Sequence, residues 1–141
     1  MRFWDASAVV PLLVSEPLTR TARRIAEEDP TLIVWWATRA ECVSALARRR
    51  REGDLAPTGH RAARRILDAL AAEWSEVLPG DLLRQRAERL LGVHVLRSAD
   101  AMQLAAALVW CRNETSVHTI VCLDDRLREA ASQQGFRLLP G

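Results

Sequence analysis

The chain has 141 residues, 49% of them apolar and 27% charged, which suits one compact domain and excludes a disordered polymer. Its formal net charge of +2 is too small for a protein that grips polyanions by bulk charge alone. All 20 basic residues are arginine. The missing lysine excludes the P-loop, Schiff-base chemistry and the receiver-type phosphoacceptor site.

Arg2-Phe3-Trp4 reads as a short strand that runs into Asp5, followed by a helix from Ala6 to Val14 that breaks at Ser15-Glu16-Pro17. A second helix covers Leu18 to Glu28 and stops at Asp29-Pro30. Thr31 to Trp35 is a continuous apolar, β-branched run, the pattern of a strand covered on both faces. Thr38 is placed to cap a long helix that reaches Glu52 and ends at Gly53-Asp54. After a loop over Leu55 to His60, Ile66, Leu67, Leu70 and Trp74 recur at helical spacing. Glu76 to Pro79 makes a third short strand. Leu82, Leu83, Ala87, Leu90 and Leu91 mark another helix, closed by Gly92. Ser98 opens a helix to about Cys111, and Thr119 to Leu123 is the clearest strand of the chain. Asp124-Asp125 leads into a last helix ended by Gly135, with Phe136 to Leu139 as an edge strand. Strands alternate with helices, with no repeat and no linker. The expected fold is an α/β sandwich, a single domain over residues 1–141, built on a mainly parallel sheet flanked by helices.

Cys42, Cys111 and Cys122 form no C-x-x-C pair, and His60, His94 and His118 lack metal-ligand spacing. Neither a disulfide framework nor a zinc site is expected, and a reducing cytoplasm is the natural compartment. Pro11 and Asp5 interrupt the first apolar stretch, so a secretory leader is not expected there, nor any membrane span.

Four acids stand in telling places. Asp5 and Asp124 follow apolar strands, and Asp100 lies in the first turn of the Ser98 helix. Functional groups gather at such strand ends in open α/β sheets. Glu41 lies one turn inside its helix between Ala40, Cys42 and Val43, where a lone carboxylate is costly. Each has an ordinary explanation: a helix cap for Asp5 and Asp124, a dipole partner for Asp100, an arginine pair for Glu41. If the four converge, two unit charges ~5 Å apart at an effective dielectric of ~20 repel by about 3 kcal/mol. The cluster then needs a cation, and an all-oxygen donor set selects Mg²⁺ or Mn²⁺ over zinc. Metal-assisted phosphodiester hydrolysis, by one ion or two, is the chemistry that follows.

At these residues the chain resembles the PIN-domain family, and within it the VapC-type toxin ribonucleases. Four segments carry the likeness: Trp4 to Val10 around Asp5 and Ser7, with Glu16-Pro17 downstream, Thr38 to Leu46 around Glu41, Leu96 to Ala105 around Asp100, and Val121 to Leu127 with Ala130-Ala131. They stand in the family's order over nearly the whole chain. The resemblance implies a PIN-like three-layer sandwich, Mg²⁺- or Mn²⁺-dependent endoribonuclease activity, a homodimer, and inhibition by a small cognate antitoxin. It places Asp5, Glu41, Asp100 and Asp124 at the catalytic acids, with Asp5, Asp100 and Asp124 as metal ligands. Ser7 takes a small hydroxyl position in the substrate-binding set, bonding Asp5 or a metal-bound water, and Asp125 ranks below Asp124.

Glu41, Ser44 and Arg48 share one helix face, so Arg48, and after it Arg51, are candidates for holding RNA phosphates near the acids. Arg48 to Arg51 equally suit the negative end of the helix dipole. Five tryptophans accompany no tyrosine, and packing explains them more readily than base stacking. Two rivals stand beside the nuclease. An aspartate-nucleophile phosphatase wants a second Asp where Ser7 stands, and a lysine. A non-catalytic PIN-like module that binds RNA or a protein is the other.

Overall fold

A computed structural model describes residues 1–141. Five strands form one sheet: β1 (Arg2–Trp4), β2 (Leu32–Trp35), β3 (Ser75–Val77), β4 (Thr119–Val121) and β5 (Arg137–Leu139). Their order is β3-β2-β1-β4-β5, and every pairing is parallel. Seven α-helices flank the sheet: α1 (Ala6–Leu13), α2 (Thr19–Glu28), α3 (Thr38–Arg51), α4 (Pro57–Glu73), α5 (Asp81–Val93), α6 (Ser98–Trp110) and α7 (Asp125–Gln133).

The pleat explains why the inner strands are apolar throughout. Phe3, Ile33, Trp35 and Ile120 point to one face and pack against Leu83, Leu90, Leu104 and Leu127 of α5, α6 and α7. Trp4, Leu32, Val34 and Val121 point to the other face and meet Val9, Ile25, Leu46 and Leu67 of α1 to α4. The result is three layers with a separate core on each side. Phe3 and Trp4 are almost completely buried, one in each core. Side chains of this size contribute about 1.5–3 kcal/mol each when buried, so β1 is pinned from both sides and the residue after it is held firmly.

The chain order runs outward from β1 to β2 and β3, then returns to β4 on the other side of β1. The segment after β1 turns into α1 on one face, and the segment after β4 into α7 on the other. A crevice opens between such diverging connections at the carboxyl ends of the strands.

Several element boundaries differ from the sequence reading. The loop drawn over Leu55 to His60 is already helical from Pro57, because proline at the first helical position lacks only an N–H that has no partner there anyway. Gly92 lies inside α5, which runs on to Val93. The third strand sits slightly earlier, at Ser75–Val77, leaving Leu78 exposed and Pro79 outside the ladder. Thr38 is not a cap: Ala37 holds that position, and the buried Thr38 hydroxyl serves another purpose. Trp35 closes β2 in the core, whereas Trp36 lies in the following turn, exposed. Gly53 and Gly135 do end their helices, at φ 82° and 94°.

Candidate active site

Asp5 leaves β1 with extended backbone and caps α1, its carboxylate accepting from Ser7 N (3.1 Å). The Ser7 hydroxyl donates to the same oxygen, and in turn accepts from Leu123 N (2.9 Å). Cys122 Sγ completes the surroundings, 3.6 Å from Asp5 Oδ2. Ser7 thus ties the end of β1 to the segment that follows β4. Asp124, three residues beyond β4, caps α7 through Leu127 N (2.9 Å). The cap reading holds for both aspartates, and both nonetheless face one cleft.

That cleft is about 630 Å³ and gathers all six residues singled out from the sequence: Asp5, Ser7, Glu41, Arg48, Asp100 and Asp124. Glu41 reaches it from α3 and Asp100 from α6, on opposite sides of the sheet. Ser44 and Arg48 line it on the same helix face as Glu41. Arg48 makes no ion pair, whereas its neighbour Arg49 binds Glu16 at the rim. Arg51 and Asp125 do not line it.

The electrostatics of the cleft are those of crowded acids. Asp5 is 5% exposed and has no cationic partner. Burial pushes its carboxyl well above the usual carboxylate range; the bonds from Ser7 oppose the rise, and the charge on Asp100 adds to it. Glu41 is pushed up to about 7, first by burial, against the bond from Gln103 and with the charges of Asp5 and Asp100. The Cys122 thiol is driven upward by burial and by Asp5, so it remains a neutral neighbour rather than a nucleophile.

Residues 2–133 match the sequence profile of the PIN domain. The chain belongs to the PIN domain family. Among solved structures it is similar to the crystal structure of FitAcB from Neisseria gonorrhoeae, with a TM-score of 0.65 at 15% identity over 98% of this chain and 96% of that one. That likeness is one of fold. No curated protein sequence matches the chain.

Within this PIN domain, oxygen donors that repel one another suit a hard divalent ion in kind. No three of the side chains are already gathered around one point to hold it. Asp100 and Asp124 share an arginine. Arg97 Nε stands 3.4 Å from Asp100 Oδ2, and its Nη2 3.9 Å from Asp124 Oδ2.

Sequence reasoning gave no role to two residues of the site. Gln103, one turn beyond Asp100 on α6, is buried and donates from Nε2 to Glu41 Oε2 (2.6 Å) and to Thr38 Oγ1 (3.0 Å). Its Oε1 is buried without a partner, which costs about 1–3 kcal/mol and is tolerated where it fixes Glu41. A polar residue at helical spacing from Asp100, amid an otherwise apolar run, was the available signal. Arg97 is the other, and its role depends on two acids from different elements.

Proposed function

We propose that the protein is a Mg²⁺- or Mn²⁺-dependent endoribonuclease that acts in the cytoplasm as the toxin of a toxin–antitoxin pair. The observation that carries this reading is the meeting of Asp5, Glu41, Asp100 and Asp124, from four separate segments, in one cleft of a PIN domain. Asp5, Asp100 and Asp124 would hold the ion. When bound, such an ion polarises the scissile phosphate and makes water more acidic. Ser7 fixes Asp5 through its hydroxyl, which is already committed to Asp5 and to Leu123 N, so its part is positioning. Glu41 titrates near neutrality and takes the proton of the attacking water, while Gln103 holds its Oε2 in place. Arg48, without an ion-pair partner, receives a neighbouring phosphate of the RNA. Glu16 and Arg49 form one rim of the cleft.

A small protein that covers this cleft would silence the enzyme, as the resemblance to VapC-type toxins implies. Pairing of two copies is supported by the outer side chains of α5: Leu82, Leu91 and Val93 are exposed while Leu83, Ala87 and Leu90 fill the core. No helix is long and apolar enough to cross a membrane.

The test is incubation of the purified chain with total RNA and Mg²⁺ or Mn²⁺, with and without chelator. Cleavage is expected only with the ion, and Asp5→Asn should lower it by roughly 100- to 1000-fold, the several kcal/mol that metal activation supplies. RNA bound but left intact under every ion would overturn the enzyme in favour of a non-catalytic RNA-binding module.

A further inference from the structure

Arg97 is the one cation within 4 Å of any of the four acids, and it touches two of them. Its guanidinium spans from Asp100 at the start of α6 to Asp124 at the start of α7, bringing a positive charge to the mouth of the cleft. Asp5 and Glu41, deeper in, have no such partner, and their carboxyls are raised.

The contact is loose by construction. The Nε to Oδ2 distance of 3.4 Å exceeds the usual N–H···O range, and the Arg97 side chain is 71% exposed. Pairs of this kind contribute little, because water and salt screen them. The Arg97 backbone is held independently of the guanidinium, its carbonyl accepting from Ala101 N (3.0 Å) in the first turn of α6. The side chain can therefore rotate into solvent while its Cα and the start of α6 stay where they are. A doubly charged ion at the same carboxylates attracts them more strongly than a solvated guanidinium does.

We propose that Arg97 is a resident counter-charge that trades places with the divalent ion. It neutralises Asp100 and Asp124 while no metal is bound, and it leaves them when Mg²⁺ or Mn²⁺ enters. This rests on the metal-dependent reading above and adds to it a residue that sets the affinity for the ion. The exchange makes no covalent bond; the guanidinium gives up two carboxylate contacts to the metal and takes water in their place.

The test is the dissociation constant for Mn²⁺, followed by the electron paramagnetic resonance of free Mn²⁺ in full-length protein without RNA. Arg97→Ala is expected to bind the ion roughly three- to tenfold more tightly than wild type, since a like charge and a competitor are both removed. Arg97→Gln, which keeps a polar side chain of similar reach, should do the same and guards against a folding defect. Arg48→Ala is the control, because Arg48 lines the cleft without touching an acid; its affinity should stay within about twofold. In chelator, the thermal midpoint of Arg97→Ala should fall, and the gain on adding Mn²⁺ should exceed that of wild type. Equal tightening in Arg48→Ala would reduce the effect to bulk charge and overturn the exchange. Unchanged or weaker binding in both Arg97 variants would overturn it as well, with wild-type binding intact. Wild-type protein that binds no Mn²⁺ would instead bring down the metal-dependent reading itself.

Discussion

The two ends of β1 use carboxylates in opposite ways. At the amino end, Asp29 accepts from the Met1 ammonium (2.5 Å), and Arg2 lies 3.4 Å from Glu28. The Asp29 carboxyl is held below its ordinary range, first by the bond from that ammonium. At the carboxyl end, Asp5 just past the strand and Glu41 of α3 are driven the other way. Acids at the first end find cations and support the fold. Acids at the second are gathered against burial and each other, an arrangement that opposes folding and is expected where charge is kept for chemistry.

The largest effect that would sharpen this contrast is at Asp5. Asp5→Asn should nearly abolish RNA cleavage yet raise stability in chelator by about 0.5–2 kcal/mol, since asparagine still accepts from Ser7 N without carrying a buried charge. Urea titration of both proteins measures it, and a destabilised variant would place Asp5 with the supporting acids. The next effect is a pH dependence. A carboxyl whose folded pKa lies near 7, against 4.5 for the free side chain, binds its proton more tightly in the folded state. Stability is then lost as pH rises between those values and levels off above them. Thermal midpoints in chelator should fall across that window, and Glu41→Gln should flatten the fall. The smallest effect belongs to Asp29. Its lowered pKa gives stability that is present above about 3.8 and lost as pH drops, and Asp29→Asn should cost under about 1 kcal/mol at pH 7. A larger loss would mean that the amino end is a keystone rather than a surface pair.

The order of elements was legible because a parallel sheet covered on both faces writes its strands as unbroken apolar runs, as at Leu32 to Trp35. Asp5 and Asp124 were legible for the same reason, each standing just past such a run. Glu41 showed itself by the oddity of an acid among Ala40, Cys42 and Val43. What stayed hidden needs the third dimension. Pro57 looked like part of a loop because Thr58, Gly59 and His60 follow it, and the packing of Ala63 and Leu67 decides otherwise. Thr38 looked like a cap, but its hydroxyl accepts from Gln103, 65 residues away. The part played by Gln103 is invisible in sequence, since glutamine is ordinary on a helix until its amide is found buried between α3 and α6. Asp124 against Asp125 could be ranked only by likeness, and the geometry separates them: one lines the cleft while the other faces solvent.

The cleft lies on the seam between two hydrophobic layers. Thr38 and Glu41 ride on a helix rooted in one layer, Asp100 and Gln103 on a helix rooted in the other, and the Gln103 amide bridges them. Whatever fills the seam clasps both halves. Local opening of either layer must first let go of the occupant, so occupancy should knit the molecule into a single cooperative unit and slow its breathing far from the cleft.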